Sequence, residues 1–154
     1  METSKNIFWE VSEVELVYKS RIKAADRPKV NTSAKAYEIF LHTWNKDKIE
    51  LLEQFKILLL DRAGKVLGIC EISTGGISST IVDPKLIFVT ALKAHASSLI
   101  LCHNHPSGNL KPSEEDISLT KKLEQAGTFL DIPVLEHLII SLEGYYSFTD
   151  EGLL

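Results

Sequence analysis

The run Ser98-Leu99-Ile100-Leu101-Cys102 leads directly into His103-Asn104-His105-Pro106-Ser107-Gly108-Asn109-Leu110-Lys111-Pro112-Ser113-Glu114-Glu115-Asp116. This junction restricts the folds open to the chain more than any other stretch. The short apolar run bounded by polar residues reads as a buried strand. Side chains alternate faces along a strand, so His103 and His105 point the same way and Asn104 points away. Pro106 cannot donate to a ladder and ends the strand. Ser107-Gly108-Asn109 supplies turn chemistry. Ser113 then has the features of a helix N-cap, with Asp116 one turn inside. A turn that folds back brings Asp116 to face the two histidines. Two imidazoles and one carboxylate can grip a single metal ion and leave a position open for water, the pattern of catalytic zinc.

Plainer readings exist for each part. Ser113-x-x-Asp116 resembles a capping box, which needs no metal. A lone histidine at a strand end is more often structural than ligating. The metal reading is carried by the conjunction: His-x-His on a strand end, a tight Pro-Ser-Gly turn, then Ser-x-x-Asp opening a helix. Capping and metal chemistry are compatible, because Ser113 can cap the helix and still face the site. His103-Asn104-His105 is not an HNH nuclease motif, whose three residues are spread along the chain.

At 154 residues the chain is long enough for one domain with a good core. Its apolar content of 44% and charged content of 25% are ordinary for a soluble globular protein. No apolar run reaches the length of a membrane span. The opening Met1-Glu2-Thr3-Ser4-Lys5-Asn6 lacks the cationic and apolar regions of a signal peptide. Cys70 and Cys102 sit in strand-like apolar runs and read as reduced core residues. A cytoplasmic location without membrane attachment is the expectation that follows. The net charge of −4 argues against non-specific nucleic-acid binding.

Val11, Val14, Leu16 and Tyr18 alternate imperfectly with polar residues and predict a strand over residues 11–22. Lys19, Arg21, Lys23, Arg27 and Lys29 form a basic run. It is expected to be the solvated face of an edge strand; the sharper reading is a patch for nucleic acid or another acidic partner. Residues 1–31 are thus expected to be a strand-bearing extension packed on a domain of residues 32–154. Such a strand would also allow pairing across a homodimer.

Thr32 or Ser33 caps a helix predicted to run to Trp44, with Ala36, Ile39, Phe40 and Thr43 on one face. A short helical turn is expected over residues 49–53. Residues 55–60 and 66–72 form a hairpin around the turn 61–65, expected to sit centrally because its apolar run suggests burial on both faces. The stretch from Ser73 to Thr80 lacks the Gly-Lys-Ser/Thr ending of a P-loop, so Gly75-Gly76 reads as a bulge or turn. Asp83 caps the next helix with Pro84 at its first position, and Ile87, Phe88, Ala91, Leu92 and Ala94 form its apolar face. His95 near its end suits the helix dipole. The helix opened by Ser113 is predicted to stop at Gly127, with Ile117, Leu119, Leu123 and Ala126 turned inward. Strands at 135–141 and 145–148 close the chain. His137 reads as a buried structural histidine. The predicted fold is α/β: three α-β-α layers around a mixed central sheet.

A metal-water mechanism needs a base, best supplied by a carboxylate held near the metal but not bound to it. Glu50, Glu53 and Glu71 are the candidates.

The central motif resembles that of the JAMM metalloproteases, His-x-His-Pro followed by a spacer, Ser and Asp. More closely it resembles the RadC branch, through His103-Asn104-His105-Pro106-Ser107-Gly108, Pro112-Ser113 and Asp116. The resemblance extends to Glu136-His137-Leu138-Ile139-Ile140 and Tyr146-Ser147-Phe148, and covers residues 32–154. It implies a JAMM (MPN-type), cytidine-deaminase-like architecture and a zinc ion held by His103, His105 and Asp116 with water as fourth ligand. JAMM proteins place their catalytic Glu at a strand start, and RadC-like chains carry a Glu two residues before the aromatic at Phe55. The resemblance therefore favours Glu53 as the base, with Glu71 as the alternative inside a strand. Ser113 would donate a hydrogen bond to the water or to the developing oxyanion. The Gly75-Gly76 region would lie beside the cleft, where it could bind substrate backbone. The implied reaction is hydrolysis of a peptide or isopeptide bond in a peptide or protein substrate. Longer RadC proteins carry an N-terminal helix-hairpin-helix region, which this sequence is expected to lack. Two other classes stay open: a DNA repair or recombination accessory protein binding DNA through the basic run, and a metal-binding interaction domain without turnover. A zinc deaminase is excluded, since the chain has no His-x-Glu and no Pro-Cys-x-x-Cys.

Overall fold

Residues 10–76 and 80–154 are described by a computed structural model. All seven residues of strand β3 (Ser98–Asn104) are buried, and the sheet extends outward from it. On one side β1 (Gln54–Leu60) pairs with it antiparallel; on the other β4 (Val134–Ile140) pairs parallel. β2 (Val66–Thr74) borders β1 and β5 (Tyr145–Ser147) borders β4, giving the order β2-β1-β3-β4-β5. The sheet is therefore mixed. Its one parallel pair is joined through α3 (Glu114–Phe129), as a parallel connection requires a crossover.

Strand alternation splits the core into two halves. Leu58, Leu60, Ile100, Cys102, Leu138 and Ile140 face α1 (Ser33–Thr43), which buries Ala36 and Phe40 against them. Ile57, Leu59, Leu99 and Leu101 face the opposite layer, where α2 (Pro84–Lys93) contributes Ile87, Phe88 and Ala91 and α3 contributes Leu123. The result is the expected three-layer α/β arrangement. Local chemistry sets the helix starts. Thr32 Oγ1 accepts from the Lys35 N–H at 3.1 Å, and Asp83 Oδ1 accepts from the Lys85 N–H at 2.9 Å with Pro84 opening the helix. Hydrogen bonds from Ile49 N to Asn45 O and from Leu52 N to Lys48 O close helical turns ahead of β1. Among the described residues no helix is long and apolar enough to cross a membrane.

Several expectations are corrected. Residues 10–22 form no strand; Val11, Val14 and Leu16 are exposed, and the segment's apolar spacing never holds a strict two-residue period. The extension is tied to the β1–β2 hairpin by other means. Tyr18 donates to Leu67 O at 2.6 Å, Arg27 lies 3.5 Å from Asp61, and Lys29 makes a single bridge with Lys65. The hairpin is not central: β1 is interior, but β2 is the sheet edge and is mostly half-exposed. Thr43 and Leu92 are exposed rather than inward. Helix α3 does not stop at Gly127. It runs to Phe129, and Gly127 is needed for closeness instead: a Cβ there would lie 2.5 Å from Ile132 O. Asp131, at φ +56°, takes the left-handed position that ends the helix, with Ile132 N donating to Gly127 O at 2.8 Å. Of the stretch Ser73–Thr80, residues 77–79 lie outside the described residues.

Candidate metal centre

His103 is the penultimate residue of β3, and His105 follows its end, so both rings project from the same face. Their Nε2 atoms are 3.1 Å apart. Gly108, at φ +81°, turns the chain back, with its N–H donating to His105 O at 2.9 Å. The turn also brings Asn109 O to 2.5 Å from His105 Nδ1. A carbonyl only accepts, so Nδ1 carries the hydrogen and a neutral His105 presents a bare Nε2 to the site.

After the turn Ser113 starts α3 with a complete capping box. Its Oγ accepts from the Asp116 N–H at 3.0 Å, and its own N–H donates to Asp116 Oδ2 at 2.9 Å. The box does not compete with the site; it aims it. The same carboxylate lies 3.3 Å from His103 Nε2 through Oδ1 and 3.4 Å from His105 Nε2 through Oδ2. Burial opposes ionisation of Asp116, yet the His103 and His105 rings, in their protonated forms, and the Ser113 N–H hold its carboxyl well below the usual range. For His105 burial also opposes the charged form, but Asp116 and the Asn109 carbonyl outweigh it and push the ring's pKa up.

Glu53 reaches the cluster from the residue before β1, its Oε1 3.9 Å from His105 Nε2. Ligand atoms of Glu53, His103 and His105 all lie within 4.8 Å of one another. Burial raises the Glu53 pKa, with partial relief from His103 and His105. Its backbone is held from two sides. Gly75 N donates to Glu53 O at 2.9 Å, and Glu53 N donates to Gly76 O at 3.2 Å. On the other side Asn104 Oδ1 accepts from the Gln54 N–H at 2.7 Å, and Asn104 Nδ2 donates to Ile49 O and Leu52 O at 2.6 and 2.8 Å. Asn104 is a site residue that sequence reasoning passed over as merely facing away. The available signal was its polarity in a buried strand, which demands partners. Glu71, the alternative base, is exposed on β2, where it accepts from Gln54 Nε2 and Thr74 Oγ1. Glu50 is exposed beside a cleft of about 290 Å³ that His105, Ser107 and Glu143 also line.

Behind the cluster His137, fully buried as expected, fills the space between Phe55 and Phe148. Its Nε2 is 2.8 Å from His103 Nδ1 and its Nδ1 is 2.6 Å from Thr120 Oγ1. Burial, reinforced by His103, pushes its pKa well below the ordinary imidazole value. Cys102 is buried and Cys70 partly so; neither forms a disulfide. A larger cavity, about 530 Å³, lies beside the start of α1. Its buried charge, Glu136, is already satisfied by the Ser33 and Ser147 hydroxyls and the His137 and Thr149 N–H groups.

Two imidazole nitrogens and a carboxylate thus converge at 3.1–3.4 Å. Neutral imidazoles with bare Nε2 atoms would face the Asp116 anion unfavourably, so the cluster favours positive charge at its centre, from a proton or a cation. The donor set suits a divalent metal ion.

The sequence pattern of the RadC-like JAB domain matches residues 30–153. The UPF0758 protein of Flavobacterium johnsoniae is 50% identical over 101 residues, covering 66% of this chain and 44% of that protein. The UPF0758 protein of Porphyromonas gingivalis is 47% identical over 103 residues, covering 66% and 45%. That of Geotalea uraniireducens is 38% identical over 117 residues, covering 76% and 51%. The chain spans about half the length of the curated relatives it matches. With its fold, its site geometry and this match over most of its length, the chain belongs to the RadC-like JAB domain family.

Proposed function

We propose that this domain is a zinc-dependent hydrolase of the JAMM type that cleaves a peptide or isopeptide bond. The observation that carries the reading is the meeting of His103, His105 and Asp116 at 3.1–3.4 Å with the Glu53 carboxylate beside them at 3.9 Å. Ligand atoms on a tetrahedral zinc, each about 2.0–2.1 Å from the ion, lie about 3.3–3.4 Å apart. Asp116 is the better carboxylate ligand because it touches both imidazoles, whereas Glu53 stands further from one. Zinc held there would supply a Lewis acid for the scissile carbonyl and lower the pKa of a bound water.

The remaining chemistry belongs to the chain. Glu53, buried and with a raised pKa, is suited to take a proton at its carboxylate and pass it to the leaving amine. Ser113 spends its oxygen lone pair on the helix cap and keeps its hydroxyl hydrogen for an oxygen of the reacting group. Such a donor is worth roughly 3–4 kcal/mol to an oxyanion. The substrate is a peptide or protein, and the domain works in the cytoplasm.

The test is a Glu53→Gln variant assayed on a peptide and isopeptide library. Hydrolysis should fall by about 10²–10⁴-fold while zinc stays bound. Undiminished hydrolysis by that variant would remove Glu53 from the mechanism.

A further inference from the structure

Thr120 has one hydroxyl hydrogen, and its use decides the tautomers of two histidines. Thr120 Oγ1 lies 2.6 Å from the Asp116 carbonyl oxygen, which can only accept, so the hydrogen points there. Oγ1 is also 2.6 Å from His137 Nδ1. With its hydrogen spent, the oxygen must accept, and His137 Nδ1 must carry a hydrogen. His137 is sealed from solvent, stacked on Phe148 at 4.5 Å between centroids and edge-on to Phe55 at 5.5 Å. A charged ring there would be expensive, so the neutral form holds and its Nε2 is an acceptor. His103 Nδ1, 2.8 Å away, therefore donates to it. A neutral His103 with its hydrogen on Nδ1 has a bare lone pair on Nε2, the atom that faces His105 and Asp116.

We propose that Thr120 and His137 are positioning residues that lock His103 in the tautomer able to bind a metal ion. The inference rests on the metal-site reading above. The chain of hydrogen bonds begins at the Asp116 carbonyl and ends where the Asp116 carboxylate meets His103, so the first turn of α3 sets both ends. It also spans the sheet from β4 to β3, which fixes the plane of the His103 ring as well as its proton. Such outer partners of ligating histidines commonly govern affinity by 10–100-fold.

The test uses the whole chain with Thr120→Val, which keeps the shape and removes the hydroxyl, and Thr120→Ser, which restores it. Zinc affinity is measured by competition with a chelating dye, and histidine tautomers by long-range proton–nitrogen spectra of zinc-free protein at alkaline pH. Thr120→Val should bind zinc about 10–100-fold more weakly, and Thr120→Ser should recover the wild-type value. Wild-type spectra should place the His103 proton on Nδ1. Wild-type affinity in Thr120→Val, or a wild-type proton on Nε2, would overturn the proposal. Should Thr120→Val fail to fold, the wild-type spectrum decides alone. A wild type that binds no zinc would sink the metal reading instead, and the tautomer spectrum would still judge the relay.

Discussion

Asn104 holds the backbone of Gln54, accepting its N–H at 2.7 Å from fifty positions away in the chain. The middle residue of His103-Asn104-His105 thus anchors the segment that carries Glu53, while its neighbours face the candidate metal centre. One strand end thus positions both the proposed ligands, carried on one face, and the proposed base, whose segment is held by Asn104 on the other.

Replacing Asn104 with Leu should expose this coupling. The Gln54 N–H and two carbonyls would lose buried partners, at a cost of about 1–3 kcal/mol per orphaned group. We expect a clear loss of stability in urea unfolding, together with slowed hydrolysis and retained zinc. Unaltered stability would mean that the segment is held by Gly75 and Gly76 alone.

Variants of Ser113 separate its capping role from its proposed catalytic one. Ser113→Ala removes the acceptor for the Asp116 N–H and should cost about 1 kcal/mol. Hydrolysis should fall by about 10²–10³-fold if the hydroxyl serves the oxyanion. Ser113→Asp can cap but has no hydrogen to donate, so it should recover stability without recovering activity. Recovery of both would confine Ser113 to the cap.

The zinc-free site has a defined pH response. Asp116 is depressed below 3.8, so its stabilising effect is present above that pH and fades as pH falls through its folded value. His105 is raised above 6.5, so its contribution is present below that pH and is lost as pH rises through its folded value. Zinc-free protein should therefore lose stability at both ends, and Asp116→Asn should flatten both limbs in chemical denaturation across pH. An unchanged profile in Asp116→Asn would contradict the assigned pairing.

At the end of α3 two substitutions should act in opposite directions. Gly127→Ala places a Cβ against the Ile132 carbonyl and should destabilise by about 1–3 kcal/mol. Asp131→Gly relieves a left-handed residue and should stabilise by up to about 1 kcal/mol. Thermal melts of the two variants give the sign of each.

The strand, turn and cap around His103, His105 and Asp116 were legible because each rests on local chemistry: alternation, Pro106, Gly108 and Ser113. The layered fold followed from the alternation of strand and helix patterns. Glu53 was not legible by itself, since nothing in its neighbourhood distinguishes it from Glu50; only the family resemblance selected it. Asn104 and Thr120 escaped notice because their partners are remote in sequence, reached through β1 and β4. The hairpin's place at the sheet edge depends on which strands pair, and an apolar run does not determine that. Residues 11–22 misled because imperfect alternation in an exposed segment looks like a strand without having one to pair with.

Metal content by plasma mass spectrometry, on wild-type protein and on Asp116→Ala, tests the central claim most directly. The account predicts about one zinc per chain in the wild type and its loss in the variant. Absence of metal from the wild type even after incubation with zinc, or full retention in Asp116→Ala, would contradict it, leaving His103, His105 and Asp116 as a strand end and a capping box.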